Sequence, residues 1–240
     1  MTRARHRDQA AAVQRLQVRY AKRGRMRFTS HRDFQRAFER ALRRAEVPMA
    51  YSQGYSPHPK VSYFGAAPMG AASEAEYLEI SLTRACDPAD VARSLDAALP
   101  AGLDVVEVVE AAGDSLADRL QASVWRIEMP AAEPTSLAAA VAKFLAAGSV
   151  EVRRVTKNGS RMLDARAAVV RLEVDIDRDT EVPVLLAAIR HLTPTVRPDD
   201  LVTALGRFEA GPPGQPYVST RLTQGPVDEA TVGDPGHDGA

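Results

Sequence analysis

Between Lys22 and Lys60 the chain gathers side chains suited to holding a phosphate-rich ligand. Arg32, Arg36, Arg40, Arg43 and Arg44 recur at i, i+4, i+8 and i+11/12, opposite an apolar stripe of Phe34, Ala37, Phe38, Ala41, Leu42 and Ala45. Lys22, Arg23, Arg25 and Arg27 lead into that run. Guanidinium forks match phosphate oxygens two at a time, and several on one surface give salt-dependent affinity for nucleic acid. Apart from the capping Asp33, only Glu39 and Glu46 are available as helical partners to neutralise them, so RNA or another phosphate-rich ligand is the expected partner. A solvated helix face in an arginine-rich chain is the plainer alternative.

The next ten residues, Tyr51-Ser52-Gln53-Gly54-Tyr55-Ser56-Pro57-His58-Pro59-Lys60, form a loop in which two prolines hold His58 extended. Tyr51 and Tyr55 offer rings for base stacking, and Ser52, Gln53 and Lys60 offer hydrogen bonds. A structural loop covering a sheet edge would use the same residues. His31 and His58, isolated in this basic setting, are the two candidates for general acid–base cleavage of RNA. Asp33, Glu74 and Glu76 are the nearest carboxylates for a metal, but Asp33 is already accounted for as a helix cap, and no metal is expected.

The rest of the composition bounds the alternatives. Residues 1–62 hold fifteen Lys and Arg against four Asp and Glu, while the whole chain of 240 residues is formally neutral. A basic amino-terminal region and an acidic remainder follow. The single cysteine, Cys86, cannot form an internal disulfide or by itself ligate an iron–sulfur cluster. No apolar run approaches the length of a membrane span, and residues 1–15 lack the apolar core of a secretory signal, so a cytoplasmic protein is expected. The phosphate-loop, dinucleotide, zinc-protease and nucleophile-elbow signatures are absent from the sequence.

The elements that must position these residues follow from periodicity. Residues 15–20 alternate as a half-buried strand, 22–24 turn, and 26–28 are expected to be extended. Ser30 caps a helix over 31–46, with Asp33 at its third position. Strands are expected at 61–64, 76–82 and 103–109, with a helix at 88–98 capped by Asp87 and opened by Pro88. The resulting order is β-α-β-β-α-β, the ferredoxin-like order, an antiparallel sheet with two helices on one face. Residues 114–120 read as a connector. A second β-α-β-β-α-β set is expected from strands at 123–129, 150–156, 168–176 and 217–222 and helices at 136–146 and 182–191, with a short extra helix at 199–205. Trp125 reads as packing, and His191 as a helix-end cap. The chain thus divides into a basic arm at 1–12, ferredoxin-like domains at 13–112 and 121–223, and a low-complexity tail at 224–240, the two ends expected to be disordered.

The residues Lys22, Gly24, Arg27, Phe28, Ser30, His31, Asp33, Arg40–Ala45, Gln53-Gly54-Tyr55, Pro57-His58-Pro59-Lys60, Gly70 and Ser73-Glu74-x-Glu76 together resemble the radical-SAM-linked protein family, a domain found alone or fused behind a radical SAM domain. The resemblance is dense over 15–82 and collinear to about residue 222. It implies a radical SAM enzyme as partner rather than radical chemistry in this chain, which has no CxxxCxxC triplet and needs no cofactor of its own. The expected function is an accessory RNA- or nucleotide-binding module. Arg27, Arg36, Arg40, Arg43, Arg44 and Lys60 would hold phosphates, with Lys22, Arg23 and Ser30 also binding the ligand. Tyr51, Gln53, Tyr55, His31 and His58 would contact it more specifically. The alternatives are a metal-independent RNA-processing enzyme using His31 and His58, and a scaffold whose basic face docks an acidic protein.

Overall fold

The computed structural model describes residues 11–53, 55–111, 115–156, 159–211 and 214–227. They form a mixed α+β protein whose strands pair mostly antiparallel. Residues 1–10 of the expected arm, the tail beyond residue 227, and Gly54, Lys157 and Asn158 lie outside the described residues. Two compact units are distinguished: Met1–Met69 with Glu76–Gly113, and Gly70–Ala75 with Asp114–Ala240.

The first unit runs β1 (Gln14–Lys22), α1 (His31–Arg44), β2 (Val61–Phe64), β3 (Ala72–Leu82), α2 (Pro88–Ala98) and β4 (Leu103–Glu110). Its strands lie in the order β4-β1-β3, with β2 on the far side of β3. Leu16, Val18 and Tyr20 of β1 meet Phe34, Phe38 and Leu42 of α1 and Leu95 of α2 in one buried cluster. The Tyr20 and Phe34 rings stack with centroids 4.6 Å apart. Ser30 accepts from the Asp33 N–H at 3.2 Å and so caps α1, while Asp87 accepts from Ala89 N–H at 2.7 Å at the start of α2.

Residues 26–28 are not extended, as the alternation implied, but belong to a 3-10 helix over Gly24–Phe28. The cause is tertiary. Arg23 donates to the Gly102 carbonyl at 2.8 Å, and Met26 then turns in against the core. Gly102 has φ +87°, and a Cβ there would lie 2.9 Å from the Arg23 carbonyl oxygen. The turn leaves Arg25 and Phe28 outside.

The second unit runs α3 (Leu116–Arg119), β5 (Ala122–Glu128), α4 (Pro134–Ala146), β6 (Glu151–Thr156), β7 (Gly159–Asp164), α5 (Ala165–Ala168), β8 (Val169–Ile176), β9 (Pro183–Arg190), α6 (Pro198–Gly206) and β10 (Val218–Gly225). Its main strands lie in the order β10-β5-β9-β8, and β6 and β7 form a separate two-stranded hairpin. Ala72 and Ser73, in the first part of β3 that belongs to this second unit, pair in parallel with Thr220 and Arg221 of β10.

Four assignments change here. Residues 182–191 are a strand, not a helix: β9 lies between β5 and β8 and is buried on both faces, so it reads as an unbroken apolar run with no period to betray it. Residues 150–156 pair with 159–164 in the hairpin rather than with 168–176, which instead joins β9. The connector contains the short α3, and β10 reaches Gly225, two residues past the expected end of the domain.

Candidate functional site

Helix α1 carries the core of the site. Phe34, Phe38, Ala41 and Leu42 are buried, and Arg32, Arg36, Arg40, Arg43 and Arg44 are exposed. At 3.6 residues per turn, Arg32, Arg36, Arg40 and Arg43 fall within roughly 80° of arc. Arg36 approaches Asp33 at 4.0 Å, a long and exposed pair. Among the described residues no hydrogen bond or ion pair engages the side chains of Arg32, Arg40 or Arg43. Arg44 differs, donating to the Ala98 carbonyl at the end of α2 at 3.2 Å. It therefore ties two helices together as well as adding charge.

The basic residues ahead of α1 divide. Arg23 is paired with Asp104 at 2.8 Å. Lys22 is buried and donates to the Ala67 carbonyl at 3.4 Å, while the Ala67 N–H donates to the buried Glu76 carboxylate at 3.0 Å. Lys22 and Glu76 thus hold the segment before β3 rather than face outward. Arg27 lays its guanidinium 4.7 Å from the centre of the Phe28 ring, and Phe28 is 58% exposed.

His31, the first residue of α1, is exposed and packs edge-on against Tyr63 of β2, with ring centroids 5.3 Å apart. Its Nε2 lies 3.1 Å from Gln35 Nε2. Burial, with Glu39 nearby, pushes the Tyr63 phenol well above its ordinary pKa, and among the described residues its hydroxyl meets no partner.

The Pro-His-Pro loop closes on itself. Ser52 N–H donates to the His58 carbonyl at 2.9 Å, His58 N–H donates to Ser52 Oγ at 3.1 Å, and the His58 Nδ1 lies 2.9 Å from the same hydroxyl. Tyr51 bridges Pro59, and Lys60 N–H donates to Ala50 O at 2.8 Å. The expectation of a rigid loop rested on the two prolines; hydrogen bonds between Ser52 and His58 are a further brace. The loop leaves Gln53, His58 and Lys60 exposed and Tyr55 fully exposed. No hydrogen bond or ring contact joins His31 to His58 among the described residues. Nor do the described residues contain a group of three His, Cys, Asp or Glu that could hold a metal ion.

Phe28 and Tyr63 are the residues that sequence reasoning missed. Phe28 reads there as a strand residue, and its exposure depends on the 3-10 turn. Tyr63 reads as ordinary sheet.

In the second unit His191 follows a strand instead of capping a helix. Its Nδ1 meets the Leu120 carbonyl at 2.7 Å, so that nitrogen carries the proton, and its Nε2 meets Ser123 Oγ at 2.7 Å. Burial, reinforced by Arg221, holds His191 below its ordinary pKa. Ser123 is fully buried, so this pair is packing. Trp125 is likewise buried, under the Arg221 guanidinium at 4.7 Å.

Fold and site together define an α+β protein that carries an exposed arginine row on α1 and a self-braced aromatic loop in the same unit. The chain belongs to a family of uncharacterized proteins conserved in bacteria, DUF2344, whose model matches residues 15–198. No curated protein matches it. Among the described residues no helix is long and apolar enough to cross a membrane.

Proposed function

We propose that this protein is an accessory RNA- or nucleotide-binding module that presents its ligand to a radical SAM enzyme in the cytoplasm, without itself catalysing the reaction. The observation that carries the binding half is the row Arg32, Arg36, Arg40 and Arg43: exposed, on one arc of α1, and short of carboxylate partners. Unneutralised guanidinium groups in a row favour a polyanion. The exposed Tyr55, Gln53, His58 and Lys60 on the braced loop are suited to contacts beyond phosphate. The radical SAM partner rests on the resemblance of residues 15–82 alone.

We read each unit as a ferredoxin-like domain. The support is the strand order: β4-β1-β3 with β2 on β3 in the first unit, and β10-β5-β9-β8 in the second, each with a helix after its first and third strands. In this reading the β6–β7 hairpin is an insertion ahead of the second strand of its domain.

Fluorescence-anisotropy titration of the full chain with short RNAs at several salt concentrations tests the binding. Five or so phosphate contacts predict roughly a hundredfold loss of affinity between 50 and 200 mM salt. Arg40→Ala or Arg43→Ala should weaken every RNA and flatten that dependence. Tyr55→Ala or His58→Ala should weaken binding with the slope unchanged. Absence of binding below ~10 μM at low salt, where non-specific association alone should register, would reject the proposal in favour of protein docking. Co-purification of a radical SAM enzyme from native lysate tests the partnership separately.

A further inference from the structure

We infer that the ligand of the first unit is single-stranded RNA, held with its phosphates along the arginine row of α1 and one base stacked on Phe28. This rests on the RNA-binding reading above and specifies it. Arg32, Arg36 and Arg40 are four residues apart, and Arg43 three further on. A rise of 1.5 Å per residue places them at intervals of about 6, 6 and 4.5 Å along the helix axis. That is roughly the separation of successive phosphates on an extended single strand, whose backbone such proteins track with a line of cations. A duplex would set two phosphate rows across a groove, and a single straight row on one convex helix faces only one of them.

Phe28 supplies the second component. It lies four residues before Arg32, at the amino-terminal end of the row. A phenylalanine in a soluble protein normally goes inside, yet this one is 58% exposed, held out by a turn whose Met26 packs inward instead. The Arg27 guanidinium lies over one face of that ring, 4.7 Å from its centre, so a base would stack on the opposite face. Among the described residues the buried Arg27 Nε has no hydrogen-bond partner. A ring and a guanidinium presented together are what an unpaired base stacks on, and a base within a duplex already has its faces covered.

The experiment compares three probes by anisotropy on the full chain: a 12-nucleotide single strand of mixed sequence, the same strand annealed to its complement, and a mononucleotide. The single strand is expected to bind at least ten-fold more tightly than either. Phe28→Ala and Phe28→Leu are expected to lose about 5- to 150-fold in affinity for the strand, the range of one base–aromatic stack, with the salt slope unchanged. Phe28→Trp should retain binding. Phe28→Leu keeps the apolar bulk, and circular dichroism establishes that each variant is folded. If RNA binds but the duplex or mononucleotide matches the strand, or Phe28→Leu binds as well as the parent, this inference fails while the RNA-binding reading stands. If none of the probes binds at low salt, both fail.

Discussion

Helices α1 and α4 hold the same place in their units, each following the first strand and facing the core with two phenylalanine- or leucine-bearing turns. Helix α1 buries Phe34, Phe38 and Leu42; α4 buries Leu137, Val141 and Phe144. Their outer faces differ. Where α1 exposes Arg32, Arg36, Arg40, Arg43 and Arg44, α4 exposes Ser136, Ala138, Ala139, Ala142 and a single lysine, Lys143. Alanine is the stronger helix former, so an architecture that accepts it at these positions does not require arginine there. The connections after the helices differ too. In the first unit residues 45–60 form the braced aromatic loop; in the second, the β6–β7 hairpin and α5 occupy that stretch. The first unit therefore concentrates charge and exposed rings where the second has a nearly neutral helix, and packing does not explain the excess.

The largest test of this contrast is on the shared part. Phe38→Ala and Phe144→Ala each empty a fully buried site and should each cost about 3–5 kcal/mol in urea denaturation. A much smaller cost in one helix would mean that the two do not pack alike. On the unshared part, the triple variant Arg36→Ala, Arg40→Ala, Arg43→Ala should lower the slope of log affinity against log salt by about 2 for single-stranded RNA, with stability changed by less than about 1 kcal/mol. A larger loss of stability would make the arginines structural and end the contrast.

The caps give a smaller difference. Removing the Ser30 hydroxyl by Ser30→Ala should cost about 1 kcal/mol at neutral pH. Glu133 caps α4 with its carboxylate, accepting from the Thr135 and Ser136 N–H groups at 3.0 and 2.7 Å, and those bonds lower its pKa to about 2. A depressed carboxylate stabilises above its unfolded value and loses that contribution as pH falls toward 2. Stability measured from pH 5 to 2 should decline less in Glu133→Gln than in the parent. The smallest expected effect is at His191. Its folded pKa is lowered, so the unfolded chain binds the proton more readily, and stability falls as pH drops below the unfolded value near 6.5. Denaturation of His191→Gln at pH 8 and pH 5.5 should show a smaller difference than the parent.

Sequence alone determined α1, its cap, its buried stripe and its arginine row, because a long amphipathic helix writes its period and its stop signals locally. It also determined the Pro-Gly-Ser loop, the capped α2 and the α+β class, for the same reason. Local pattern could not place β9, since a strand buried on both faces shows a continuous apolar run that alanine and leucine make helix-like. Nor could it tell that Lys22 turns inward to the Ala67 carbonyl while Phe28 turns outward. Both depend on contacts distant in sequence: Lys22 on the segment before β3, Phe28 on Arg23 meeting Gly102 across more than seventy residues. A side chain's type fixes what chemistry it can do. Which side chains face the solvent was decided by long-range packing, and with it whether the basic segment presents an exposed ring as well as a row of cations.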